Sequence, residues 1–287
     1  MAMASYLELL RTSAKERSSI VCFGLDPDIM QMPGSTAMLP REERIMQYYS
    51  SIVDAALEQP QSISALKPNY AYFAQYGFDG LRALKSLIDK YKGKLPIIFD
   101  GKRGDIGKSS EAYATEAFSF WNADALTVAP YMGYDSVKPF LDRCKEGKGA
   151  YILCRTSNAG AADFQSLNVD NGKQLYAEVA HKMEKWHVNG MGAVLGATAL
   201  DELEQTLWTF YDSKKETPFL IPGVGAQGAS AADTVKILRS VWSEALPLHR
   251  INSSSAIAYA YKKEQASDYV GAALAEIKRM NKEIGIV

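Results

Sequence analysis

The chain has 287 residues, 47% of them hydrophobic, and 32 basic against 33 acidic side chains give a formal charge of -1. That length and apolar content suit one large core or two small ones, and the balanced charge excludes the basic field that drives nonspecific nucleic-acid binding. No apolar stretch approaches the ~18 residues of a membrane helix, and the N-terminus lacks a signal-peptide core, so the expectation is a cytoplasmic, enzyme-sized protein with no membrane partner.

Tyr6, Leu7, Leu9 and Leu10 among Glu8, Arg11 and Lys15 predict an amphipathic N-terminal helix. Eight short apolar runs follow, at residues 19–25, 63–67, 95–100, 124–129, 150–155, 192–197, 218–222 and 248–252, each read as a strand. Between them, 70–91, 107–121, 135–145, 172–187, 199–211 and 229–240 show helical periodicity with charged outer faces. Strict alternation implies a parallel sheet. Eight repeats in about 250 residues match a (β/α)₈ barrel, an α/β fold, better than a doubly wound sheet, which more often has fewer strands and a glycine fingerprint. The expectation is a single domain over residues 1–287 that carries the N-terminal helix. The longest irregular stretch, 27–41, is either the loop after strand one on the active face or a surface Ω-loop.

Cys22, Cys144 and Cys154 lack metal-type spacing and read as buried structural thiols. His181, His187 and His249 are isolated, without the paired spacing of a zinc site or a catalytic dyad, and take no catalytic role.

In a barrel, polar residues at the carboxyl ends of the strands converge on one mouth. Strand one ends in Leu25-Asp26-Pro27-Asp28, strand two in Leu66-Lys67-Pro68-Asn69 and strand five in Arg155-Thr156-Ser157-Asn158. Strand three runs into Asp100-Gly101-Lys102-Arg103-Gly104-Asp105, where alternation points Asp100 and Lys102 to the same side and leaves Asp105 on the following loop. After strand seven comes Pro222-Gly223-Val224-Gly225-Ala226-Gln227-Gly228, and a helix begins near residues 229–231. Such a loop can turn its amides inward as an anion cradle, at the usual phosphate position of these barrels.

Together these residues resemble orotidine 5′-phosphate decarboxylase, over residues 25–254, and most closely its longer, monofunctional bacterial-type subgroup. The matching positions are Asp26, Lys67, the Asp-x-Lys-x-x-Asp pattern as Asp100, Lys102 and Asp105 followed by Ile106, then Thr156-Ser157-Asn158 and Pro222-Gly223-Val224-Gly225-Ala226-Gln227. The resemblance implies cofactor-independent decarboxylation of orotidine 5′-phosphate to uridine 5′-phosphate, with no metal. By it, Lys102 stabilises the developing carbanion and delivers its proton, Asp100 lies near the departing carboxylate, and Lys67 holds Asp100 and the ribose hydroxyls. A two-fold dimer is implied, in which Asp105, Ile106 and Ser109 reach the partner subunit's site. Asp26 matches a ribose-binding carboxylate, Ser157 a pyrimidine-binding serine beside Thr156, and Gln227 a phosphate contact on the closing loop with Gly225 and Gly228.

One departure stands out: where the family places a phosphate-binding arginine, in a stretch resembling Asn-Ser-Ser-Arg, the chain reads Asn252-Ser253-Ser254-Ser255. Two alternatives share parts of this pattern. The related magnesium-dependent keto-sugar-phosphate decarboxylases carry a glutamate on strand two, so Lys67 argues against them; a non-catalytic nucleotide- or phosphate-binding relative is motivated by Ser255.

Overall fold

A computed structural model describes residues 5–225 and 228–285. Every apolar run holds a strand: β1 (Val21–Leu25), β2 (Ala65–Pro68), β3 (Ile98–Arg103), β4 (Ala125–Val128), β5 (Gly149–Arg155), β6 (Met191–Leu195), β7 (Phe219–Ile221) and β8 (Arg250–Ser253). The strand order is β2-β1-β8-β7-β6-β5-β4-β3, with parallel pairing between neighbours. Parallel bridges from Leu66 to Ile97 and from Asn69 to Asp100 bring the outer strands β2 and β3 together, so the sheet is a nearly closed (β/α)₈ barrel. Strands covered on both faces need apolar residues throughout, which is why they read as short unbroken runs.

Around the strands lie α1 (Tyr6–Arg17), α2 (Arg41–Leu57), α3 (Tyr70–Ala74), α4 (Gly77–Tyr91), α5 (Gly107–Thr115), α6 (Tyr134–Cys144), α7 (Leu175–Trp186), α8 (Leu200–Asp212), α9 (Ala231–Trp242), α10 (Ser255–Ala258), α11 (Ala260–Lys263) and α12 (Tyr269–Ile284). Two of the expected helices are interrupted. The 70–91 segment breaks into α3 and α4 at Gly77, whose φ of +61° lies in the left-handed region. The 107–121 segment becomes a π-helical turn at Glu116–Phe120, where the Glu116 carboxylate accepts from Arg103 and from the Trp121 indole. Beyond the expected helices, α2 starts after Pro40 with Glu42 and Glu43 in its first turn. It buries Ile45, Tyr48, Tyr49, Ile52, Val53 and Ala56, the spacing of one helical face. Among the described residues no helix is long and apolar enough to cross a membrane.

The period of two along each strand decides what faces the barrel axis. Cys22, Ala65, Ile98, Ala125, Tyr151 and Leu220 form one apolar layer inside the barrel, together with Tyr6, Leu7 and Leu10 of α1. The N-terminal helix thus plugs the barrel floor. The Tyr6 hydroxyl donates to that of Tyr151 at 3.0 Å, and their rings meet edge to face. Arg250, fully buried, donates to the carbonyls of Leu10, His249 and Pro247, which ties α1 to β8; burial pushes its pKa down. Two residues further along the same strands, on the same face, lie Gly24, Lys67, Asp100, Thr127, Leu153, Pro222 and Asn252. The fold therefore stacks a layer of functional groups directly on an apolar floor.

Cys22, Cys144 and Cys154 are all buried, and burial pushes each thiol up to about 12, as expected of structural cysteines. His249 stacks on Phe219 and accepts from its N–H at 3.2 Å, and burial lowers its pKa to about 3. Because Tyr6 is 1% exposed and fills the floor, Tyr6→Ala is expected to cost ~3–5 kcal/mol. The check is the midpoint of denaturant unfolding, and an unchanged midpoint would show that the plug does not support the barrel.

Candidate active site

Over the floor opens a cavity of about 590 Å³ with Lys67, Asp100, Lys102, Thr127 and Asn252 in its wall, within the range of small-molecule sites. Asp100 is its hub. Its Oδ2 accepts from Lys67 Nζ at 2.8 Å, and its Oδ1 accepts from Lys102 Nζ at 2.7 Å and from Thr127 Oγ1 at 2.8 Å. Burial alone would raise the Asp100 carboxyl, but the Lys67 and Lys102 ammonium groups hold it well below the usual carboxylate range. Burial likewise opposes the charge on Lys67, and Asp100, with Asp26 behind it, raises its pKa above the ordinary lysine value. Lys67 and Asp100 side chains are each 6% exposed, whereas that of Lys102 is 52% exposed. Lys102 is therefore the more accessible of the two ammonium groups in the cavity wall.

Simple alternation does not account for the position of Lys102. The pairing of β3 with β4 jumps from Phe99–Leu126 to Arg103–Val128, so four steps on β3 oppose two on β4. Lys102 sits in this bulge at φ +44°, a left-handed conformation that costs a side-chain-bearing residue ~1–2 kcal/mol. Its N–H donates to Thr127 Oγ1 at 2.9 Å. Thr127 thus fixes both the Lys102 backbone and the carboxylate that receives the Lys102 ammonium.

Asp26 also lines the cavity, and its Oδ1 is buried without a hydrogen-bond partner, as are Asn252 Oδ1 and Ser253 Oγ. Buried polar atoms are rarely left unpaired, which makes these three candidate ligand contacts. Thr156, Ser157 and Asn158 form the wall after β5, where the Thr156 hydroxyl donates to Asn158 Oδ1 at 2.7 Å. Ser254 and Ser255 continue it after β8. Ser254 packs where Gly24 has no side chain: a Cβ there would lie 1.8 Å from Ser254 Oγ.

The β7 loop differs from the expected amide cradle. Pro222, Gly223 and Val224 line the cavity, but the Gly225, Gly228 and Ala229 amides donate to the carbonyls of Ala229, Gly225 and Gly223. Those three N–H groups are engaged inside the loop, and Gly225 faces an adjoining groove that shares Val224, Ser255 and Tyr259 with the cavity. The following helix does start where expected, with Ser230 Oγ capping the Asp233 N–H at 3.2 Å. Gln227 lies outside the described residues.

Asp105, Ile106 and Ser109 are absent from the described cavity wall of their own chain. Asp105 Oδ1 accepts from the Ile106 N–H at 2.7 Å, and the Ile106 side chain points to solvent, 65% exposed. Tyr131 and Met132, on the loop after β4, are exposed as well.

The 27–41 loop is part of the mouth, with Asp28 and Gln31 in the cavity wall. Tyr259 joins it to the β8 side: its hydroxyl accepts from the Asp28 N–H at 2.9 Å and donates to the Asp26 carbonyl at 3.2 Å. Sequence reasoning at strand ends passes over Thr127 and reads Asn252 only as the start of the Asn-Ser-Ser-Ser stretch, although counting two residues up from Ala125 and Arg250 reaches both. No comparable signal marks Gln31 or Tyr259. Among the described residues, no group of three or more His, Cys, Asp or Glu side chains is placed to hold a metal ion.

Residues 19–269 match the model of the orotidine 5′-phosphate decarboxylase / HUMPS family. The orotidine 5′-phosphate decarboxylase of Janthinobacterium sp. (strain Marseille) is 42% identical over 263 residues, covering 91% of this chain and 92% of the relative. The structure of Leishmania donovani OMP decarboxylase superposes with a TM-score of 0.75 at 32% identity, over 98% of this chain and 99% of that one. Leishmania donovani UMP synthase gives 0.77 at 32% identity, with 98% of this chain spanning 57% of that longer protein. A match of this extent, together with the barrel and the lysine-flanked Asp100 at its mouth, establishes that the chain belongs to the orotidine 5′-phosphate decarboxylase / HUMPS family.

Proposed function

We propose that this chain decarboxylates orotidine 5′-phosphate to uridine 5′-phosphate, with Lys102 as the proton donor. The observation that carries this reading is the half-exposed Lys102 ammonium held 2.7 Å from the buried Asp100 carboxylate. Carbon dioxide leaves with the ring carboxylate, and its bonding electron pair stays on the pyrimidine carbon. A fixed ammonium stabilises that charge electrostatically, then transfers a proton to the carbon and becomes a neutral amine, which regains a proton from solvent. Asp100 and Thr127 hold Lys102 in place, so the charge is set before substrate arrives. Lys67 balances Asp100 and offers its remaining N–H groups, beside the unpartnered Asp26 Oδ1, to sugar hydroxyls. Ser157 and Thr156 face the pyrimidine. The carbonyl-polarising magnesium of a keto-sugar-phosphate decarboxylase suits this site poorly, because Lys67 already occupies the Asp100 carboxylate from strand two.

The substrate's phosphate belongs opposite the reacting group. In an eight-stranded ring β7 lies across from β3, and loops after strands seven and eight are the usual phosphate position. There the wall is Gly223, Val224, Ser253, Ser254 and Ser255. We further propose a two-fold dimer in which Asp105 completes the partner's site. What supports it is the exposed apolar surface of Ile106, Tyr131 and Met132 beside Asp105, a carboxylate that its own cavity does not use.

Lys102→Ala is expected to abolish decarboxylation, by ~10³-fold or more, while the unfolding transition stays in place; near-normal turnover, followed by ultraviolet absorbance with and without chelator, would remove Lys102 from proton delivery. If Asp105 serves the neighbouring site, mixing inactive Lys102→Ala and Asp105→Asn chains restores about a quarter of the native activity, since half of the random dimers carry one intact site. No recovery after subunit exchange would remove the shared site. Ser255→Arg is expected to lower the KM for orotidine 5′-phosphate by ~10- to 100-fold through a charged hydrogen bond to phosphate. An unchanged KM would place residue 255 out of reach of that group.

A further inference from the structure

The phosphate end poses a problem of charge. Both lysines in the described cavity wall, Lys67 and Lys102, are tied to Asp100 on the opposite side, and Gly223, Ser254 and Ser255 bring no cation. Phosphate is nevertheless bound by hydrogen-bond donors, strongest where a positive charge stands behind them. Two amide side chains line this side of the mouth, Asn252 on β8 and Gln31 on the loop after β1, the strand that pairs with β8, and of these Gln31 has a cation at its amide oxygen.

Gln31 is fixed at three points. Its N–H donates to the Asp28 carbonyl at 2.9 Å, closing a short 3₁₀ turn, and its own carbonyl accepts from the Tyr261 hydroxyl. Its side-chain Oε1 accepts from Lys262 Nζ at 3.2 Å. Tyr261 and Lys262 belong to α11, the short helix that follows Ser255 and α10. With the amide oxygen turned to Lys262, the two N–H bonds of the same amide point away from it and have no acceptor among the described residues.

Building on the decarboxylase reading, we infer that Gln31 is a binding residue for the anionic ester group of the substrate. Lys262 acts behind it as a positioning residue. The lysine fixes which end of the amide faces the ligand, polarises its N–H bonds toward an anion, and stays at the surface, where its charge costs little desolvation. The phosphate grip is thus built partly from the β1 loop, and a serine at position 255 is compatible with binding.

Two substitutions separate this role from a merely structural one. Gln31→Glu keeps, as a carboxylate, the bond to Lys262 but presents an anion to the phosphate; Gln31→Ala loses both. The measurement is the Kd of uridine 5′-phosphate for the full chain and each variant, alongside their unfolding transitions. If Gln31 contacts the phosphate, Gln31→Glu weakens binding by ~10- to 100-fold and more than Gln31→Ala does. If Gln31 only braces the loop, Gln31→Ala is the worse of the two and Gln31→Glu stays near the native Kd, which overturns the inference. Should Gln31→Ala not fold, the native-to-Glu comparison decides alone. Failure of the unmodified chain to turn over orotidine 5′-phosphate would instead sink the decarboxylase reading itself.

Discussion

The site depends on one buried carboxylate. Asp100 accepts from two ammonium groups and a hydroxyl supplied by three adjacent strands: Lys67 on β2, Lys102 on β3 and Thr127 on β4. An ionised carboxylate in an apolar surround is stable only when its oxygens are so occupied, and a buried lysine needs such a partner just as much. The barrel meets both needs with one contact, and that contact sets the spacing at this edge of the mouth. Because Lys67 is enclosed and Lys102 is not, the same carboxylate carries one charge fixed within the structure and one open to the cavity.

The floor makes room for this arrangement. Apolar side chains from the strands, packed against Tyr6, Leu7 and Leu10, lie beneath Asp100, and among the described residues its side-chain hydrogen bonds come from Lys67, Lys102 and Thr127. The two sides of the cavity thus offer contrasting surroundings: a dense charge network at β2 to β4, and small hydroxyl-bearing residues at β8 with a glycine-rich wall at β7.

How legible all this is in the sequence varies with the range of the interaction. The eight strands are plain because each is covered on both faces and must be apolar from end to end. Asp26, Lys67, Asp100 and Lys102 are plain because a charge at the end of a buried strand needs a partner or a ligand to hold it there. Thr127 hides inside Leu126-Thr127-Val128, where a lone threonine reads as an ordinary β-branched strand residue. The break at Gly77 and the π-turn at Glu116 are local departures inside otherwise periodic segments, and the second depends on Arg103 and Trp121, neighbours set by the fold. In the β7 loop the glycine pattern announces a turn but not where its amides go; Gly225, Gly228 and Ala229 bond within the loop itself. Gln31 leaves no trace in the sequence, since its orientation rests on Tyr261 and Lys262 some 230 residues away.

Lys102 occupies a backbone conformation that glycine would adopt at less cost. The backbone alone would favour losing the very side chain on which the proposed chemistry rests, whereas the buried Asp100 carboxylate, which would lose one of its two ammonium partners, opposes that loss. The β3 bulge is thus a strained turn held in place by the ion pair it presents, and stabilising replacements in this barrel belong on its outer helices and floor rather than at this turn.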